Sequence, residues 1–247
     1  MNLPVLSYNS CNLCPRNCKI SRTEQKISFC GETADLRVAC ACLHFGEEPP
    51  ITAVGGSGTI FITGCNLGCD FCQNYQISRQ GMGTVVSTDE FADICLHLQD
   101  AQAENINIVT GSHAIPALAE GLAEAKKQGL TIPVCWNSSA FESLPALNML
   151  DGLVDIWLPD LKTLSNDISL KLFRTDTYPK TATDAILRMI EMSPMRFETF
   201  FNEKTRRIGE KMLSGVIIRH LILPDFLNES KHVLDWLKTH ADSKACI

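Results

Sequence analysis

Short apolar runs alternate with amphipathic stretches along most of this chain. The runs are Thr59–Thr63, Asn105–Thr110, Ile132–Trp136, Leu153–Leu158 and Gly215–Leu223, each of strand length and rich in β-branched residues. Between them the period changes to that of a helix. Ser87-Thr88-Asp89-Glu90 reads as a capping box, and Phe91, Ile94, Cys95 and Leu98 follow on one face, so a helix is predicted over 88–103. Cys95 lies on that apolar stripe and is expected in the core. A second helix starts at Ile115, with Pro116 in its first turn, Ile115, Leu118 and Leu122 as its apolar line, and Gly129 as its stop. Further helices are predicted at 141–150, over 166–192 with a break near Tyr178-Pro179, and from Asn228 or Ser230 through Val233, Leu234, Trp236 and Leu237. Strands alternating with helices predict an α/β fold: a parallel sheet covered by helices, which right-handed crossovers curl toward a barrel.

The first fifty residues break this rhythm. They form a cysteine-rich N-terminal extension over 1–50, ahead of an α/β body over 51–247. The prolines of Glu47-Glu48-Pro49-Pro50 and the glycines Gly55, Gly56 and Gly58 predict extended chain and turn leading into the first strand. These glycines are not a phosphate loop, because no Gly-Lys-Ser/Thr follows. With 247 residues the chain suits one domain, or one with a small appendage. Its net charge of −6 and lack of a basic run argue against nucleic acid as a partner. No apolar run approaches membrane-helix length, and the opening MNLPVLSYNS lacks the charged and apolar regions of a signal peptide. Twelve cysteines in closely spaced sets, without an export signal, point to metal ligation in a reducing cytoplasm rather than to disulfides.

The sharpest such set is Cys65, Cys69 and Cys72, spaced C-x3-C-x2-C just after the first strand. On a helix these positions would make one apolar stripe of free thiols. Gly64, Asn66, Gly68 and Asp70 break that helix and favour a curled loop gathering three sulfurs. Cysteine runs of this kind hold iron–sulfur clusters, and three thiolates leave one iron of a four-iron cluster open to another ligand. Cys11, Cys14, Cys18 and Cys30 form a candidate second metal site, for zinc or a second iron–sulfur cluster, with a chemically inert metal-stapled knuckle as the plainer alternative. Cys40 and Cys42 are possible further ligands, or packing residues at strand period.

The three cysteines, with aromatic Phe71 before the last, resemble the signature of the radical S-adenosylmethionine (SAM) enzymes. The run GTIFITGCNLGCDFCQNYQIS resembles proteins related to pyruvate formate-lyase activating enzyme, and EEPPI…GSGTIF matches the same pattern. The resemblance implies a partial (β/α)6 barrel. Its sixth strand would begin near Lys244–Ile247, where the chain stops, so the barrel is expected to lack its last strand; residues 193–212 fit the pattern poorly. It also implies a [4Fe-4S] cluster with SAM on the open iron, reductive cleavage to methionine and a 5′-deoxyadenosyl radical, and hydrogen abstraction by that radical. An exposed cluster would make the protein oxygen-sensitive.

In parallel α/β barrels the site gathers at the C-terminal ends of the strands. That rule selects Thr110, Ser112 and His113, in a place where the superfamily often carries a Gly-Gly-Glu-like motif whose glutamate is missing here. His113 is expected as a polar rim residue, with a ligand or acid–base role as the alternative. The rule also selects Asn137, Ser138 and Ser139, then Asp160 and Lys162, then Arg219. By resemblance Phe71, Asn137, Ser138, Asp160, Lys162 and Arg219 are cofactor-binding residues. Lys162 would pair with the SAM carboxylate, and Arg219, in an apolar run, would take a bound carboxylate as the partner it needs. For Asp160 and Lys162 the plain alternative is a surface ion pair. His220 is expected to pack on the opposite face. No side chain is required as an acid or base. The implied partners are a glycyl radical enzyme as protein substrate and a flavodoxin or ferredoxin as electron donor. Two alternatives stand beside this reading: a radical SAM enzyme acting on another peptide or small molecule, and a non-catalytic iron–sulfur or zinc protein.

Overall fold

The structure, a computed structural model, describes residues 7–203 and 205–247. The first six residues of the segment excluded above as a signal peptide lie outside that range. Among the described residues no helix is long and apolar enough to cross a membrane.

The chain opens with turns that carry the first four cysteines, then enters β1 (Leu36–His44) and a short helix α1 (Pro49–Thr52). Next come β2 (Ser57–Ile62), α2 (Tyr75–Arg79), β3 (Thr84–Val86) and α3 (Thr88–Asp100). Alternation follows: β4 (Ile106–Val109), α4 (Ile115–Lys127), β5 (Val134–Ser138), α5 (Leu144–Asn148), β6 (Ile156–Pro159), α6 (Asn166–Phe173) and α7 (Tyr178–Met192). A hairpin of β7 (Arg196–Asn202) and β8 (Arg207–Val216) precedes α8 (Leu227–His240).

All strands join one open sheet of eight, in the order β3-β1-β2-β4-β5-β6-β8-β7. The five central strands, β2, β4, β5, β6 and β8, pair in parallel, as the alternation of runs predicts. β1, β3 and β7 add antiparallel margins that the sequence reading does not contain. β1 lies within the cysteine-rich stretch, where only Leu36 and Val38 are buried, so its apolar signal is weak. β7 lies in the poorly fitting stretch and is mostly exposed. At the far edge Cys246 bridges Ile217 in parallel, where a sixth strand was expected to begin.

Several boundaries move. The predicted strand at Ile132 starts two residues later, at Val134, because Pro133 has no N–H for the ladder. β5 runs on through Asn137 and Ser138, which end it. The predicted strand over 215–223 pairs only as far as Arg219, which bridges Asp160; His220–Leu223 are irregular. Pro49-Pro50, read as extended chain, instead open α1, where a proline at the first turn gives up no hydrogen bond.

Core packing follows the apolar faces. Ile60, Ile106, Ile108, Val134, Trp136 and Trp157 are fully buried in the sheet, under Phe91 and Cys95 of α3 and Leu118 and Leu122 of α4. The capping box is present on both sides: Ser87 Oγ accepts from the Glu90 amide, and Glu90 Oε2 accepts from the Ser87 amide. Ser87→Ala is expected to lower stability by about 1 kcal/mol without changing the fold, read by urea unfolding and far-UV circular dichroism.

Candidate cluster and cofactor site

The Cys65–Cys72 segment leaves β2 as a loop, not a helix. Gly64 and Gly68 have φ of +90° and +70°, values that a side chain would strain. A Cβ on Gly64 would also lie 2.8 Å from the Cys30 carbonyl oxygen. Two arginines clamp the loop through its carbonyls. Arg16, from the N-terminal turns, donates to Asn66 O at 2.9 Å and Leu67 O at 2.8 Å. Arg174, in the left-handed cap of α6, donates to Gly68 O at 3.0 Å and pairs with Asp70. Buried Asn66 donates to Phe141 O at 2.7 Å, and the Asp70 amide donates to Leu172 O at 3.1 Å. With the backbone so tied, Cys65, Cys69 and Cys72 line a cavity of about 600 Å³ at the strand ends.

The same cavity is lined by Phe71, Asn137, Ser138, Asp160, Lys162 and Arg219, so every residue selected for cofactor binding faces one space with the three cysteines. Phe71 meets Phe173 edge to face, with ring centroids 6.1 Å apart. Asp160 is the hub of the polar wall. Lys162 Nζ donates to one of its oxygens at 2.8 Å and Arg219 Nε to the other at 2.9 Å. Arg219 also donates to Asn137 Oδ1 at 2.6 Å and stands 3.6 Å from Glu47 and 3.5 Å from Glu48. Burial would raise the Asp160 carboxyl, but the cations Lys162 and Arg219 outweigh it and hold the group below the usual carboxylate range. Burial opposes charge on Lys162 too, yet Asp160 keeps its ammonium more firmly protonated than usual. Burial pushes the Cys69 thiol up to about 12, against the pull of Lys162, so a metal must displace that proton to bind.

Four expectations change, for His113, Ser112, Arg219 and His220. His113 is no rim residue: it is buried behind the loop, its Nε2 2.7 Å from Thr63 O. Ser112 turns into the core and donates to Glu142, a buried carboxyl whose pKa burial raises, while Thr110 stays on the cavity wall. Arg219 already has protein carboxylates as partners, so the apolar run around it did not signal a missing ligand. Ser139 lines the cavity. His220, expected to pack on the opposite face, lines it as well, turned there by bonds from both ring nitrogens, to Leu161 O at 2.6 Å and Ser230 Oγ at 2.9 Å. The sequence reading missed Glu47 on the cavity wall, Glu48 beside Arg219, and Arg16 and Arg174 as clamps. A charged pair beside two prolines was the available signal for the first two.

A family model described as the radical SAM superfamily matches residues 59–200, more than half of the chain. The chain belongs to the radical SAM superfamily. Membership implies a [4Fe-4S] cluster and SAM, and the donor set fits both. Three loop thiols converge on a cavity within the size range of small-molecule sites, whose wall carries fixed cations and amide groups. An uncharacterized protein of Methanocaldococcus jannaschii is 28% identical over 96% of this chain, and the chain spans 64% of that relative's length.

The depressed Asp160 pKa fixes a sign. The unfolded state takes up this proton first, so the stabilisation is whole above the ordinary value of 3.8 and fades as pH falls through the lower folded value. Asp160→Asn is therefore expected to lower stability at neutral pH but to flatten its acid limb relative to wild type, read by urea titrations from about pH 6 to 3.

Proposed function

We propose that this radical SAM protein reductively cleaves SAM and directs the resulting carbon radical at a glycine of a partner protein, in the manner of the pyruvate formate-lyase activating type. The observation that carries the SAM reading is the single cavity shared by three loop cysteines and the polar ends of the parallel strands. When bound, the cluster and SAM supply one-electron cleavage of a carbon–sulfur bond and a radical able to abstract hydrogen. The chain's own work is to hold, orient and exclude. Cys65, Cys69 and Cys72 would hold the cluster, three thiolates for four irons. Lys162, braced by Asp160, offers a fixed ammonium to a carboxylate. Asn137 and Ser138 offer polar groups to the sugar and amino-acid parts, and Phe71 covers the cluster loop against water. No residue moves a proton. The N-terminal cysteines serve as a second metal site.

A protein substrate suits the mouth of the cavity. Leu221 lines it and Ile222 follows, both more than half exposed on irregular chain, which offers an apolar rim to a partner. A flavodoxin- or ferredoxin-like donor in the cytoplasm completes the proposal.

The test is anaerobic. The reconstituted, reduced protein is expected to give a four-iron EPR signal that changes on adding SAM, to release 5′-deoxyadenosine, and to generate a glycyl radical doublet in a glycyl radical enzyme supplied with it. Cys69→Ala should lose the first two together. A cluster blind to SAM would refute the enzyme reading; deoxyadenosine without any glycyl radical would refute the activating-enzyme reading alone. Lys162→Met is expected to weaken SAM binding by about 10- to 100-fold in calorimetry, the loss of one charge-assisted contact.

A further inference from the structure

We propose that Tyr178 is a positioning residue that sets the Lys162 ammonium against the cluster loop. Its hydroxyl pins the turn carrying Asp160 and Lys162, and its ring ties that turn through Phe173 to Phe71. This rests on the reading of the cavity as a SAM site, and deepens it by naming what holds the two walls in register.

Lys162 needs such a brace because its segment has no ladder of its own. β6 ends at Pro159, Asp160 makes a single bridge to Arg219, and residues 161–165 are irregular up to the start of α6. A long side chain on unrestrained backbone would lose its aim. Tyr178 Oη closes the turn from both sides. It donates to Asp160 O at 2.7 Å and accepts from the Lys162 amide at 2.9 Å. A hydroxyl suits this place because it gives one hydrogen bond and takes another at a single atom. Tyr178 is fully buried, and burial holds its phenol well above the ordinary range, so the donated proton stays on it. With both residues' backbones pinned by one oxygen, Asp160 and Lys162 keep the 2.8 Å contact between their side chains.

The ring makes the link to the loop. Tyr178 opens α7, and its ring packs edge to face on Phe173, with centroids 5.0 Å apart. Phe173 in turn meets Phe71 at 6.1 Å. A second path runs through Phe141, whose ring lies 5.9 Å from that of Tyr178 and whose carbonyl accepts from Asn66. Phe141 and Phe173 are fully buried, so a shift of the loop is passed on as a change in packing. Other ties of the Lys162 segment lead elsewhere. Leu161 is bonded to Arg219 and His220, and the amides of Leu164 and Ser165 donate to Glu229 of α8.

A small molecule that meets the cysteines with one end and Lys162 with the other is thereby held at a set span. Loss of the Tyr178 hydroxyl would leave the lysine its charge and take away its aim.

Tyr178→Phe keeps the ring and removes only the hydroxyl. In the unloaded chain the Lys162 amide is expected to exchange its hydrogen at least about 10-fold faster than in wild type, read by NMR. In the reconstituted protein, with iron content and far-UV circular dichroism unchanged, SAM should bind about 10-fold more weakly in calorimetry. The deciding measurement is a double-mutant cycle. Tyr178→Phe combined with Lys162→Met should bind SAM no worse than Lys162→Met alone, because Tyr178 acts through Lys162; a merely structural role would add the two losses. Additive losses, or wild-type affinity in Tyr178→Phe, would overturn the proposal. Should Tyr178→Phe take up no iron, Phe173→Leu, which cuts the ring path and spares the hydroxyl, decides by the same cycle with Lys162→Met. A wild type blind to SAM would sink the enzyme reading instead. The exchange rate at Lys162, read without cluster or SAM, then judges the brace by itself, and an unchanged rate would overturn it.

Discussion

Two guanidinium groups hold the loop between β2 and α2 by its carbonyls, and the site depends on that clamp. Three thiolates share one cluster only when their backbone curls to bring them together, and the segment has no helix or strand of its own to hold that curl. Gly64 and Gly68 give it the curvature. Arg16 and Arg174 supply the restraint, reaching in from the N-terminal turns and from the end of α6. Segments 158 residues apart are thereby joined, since Arg16 also donates to Arg174 O.

The opposite wall solves a different problem. Asp160, Lys162 and Arg219 are half-buried, and burial opposes the charge on each; the two cations keep Asp160 ionised, and Asp160 in turn keeps both cations protonated. Glu47 is held less firmly, its carboxyl raised by burial even beside Arg219. The result is a rigid polar face brought in by β5, β6 and β8, set against a soft sulfur-rich face brought in by the loop. A cofactor carrying both a carboxylate and a metal-binding amine is suited to the space between them.

The parallel centre of the sheet was legible because its strands are short apolar runs separated by capped helices, as at Ser87–Glu90 and Ile115–Gly129. The antiparallel margins were not, because β1 and β7 bury few apolar residues and owe their pairing to the strand beside them. The gathering of Cys65, Cys69 and Cys72 at one cavity was legible from their spacing, and that of Asp160, Lys162 and Arg219 at the same cavity from the strand-end rule. His113 shows the limit of that rule: it follows a strand end, but the crossover to α4 turns it inward. Arg16, Arg174, Glu47 and Glu48 act across distances along the chain that spacing cannot express.

Electron–nuclear double resonance on the reduced protein with SAM labelled at its amino nitrogen and carboxylate carbon would test the central claim most directly. The account predicts hyperfine coupling from both labels to the cluster on Cys65, Cys69 and Cys72. SAM that binds with neither label coupled would contradict it, since the three-thiolate loop and the polar strand ends would then not form one site.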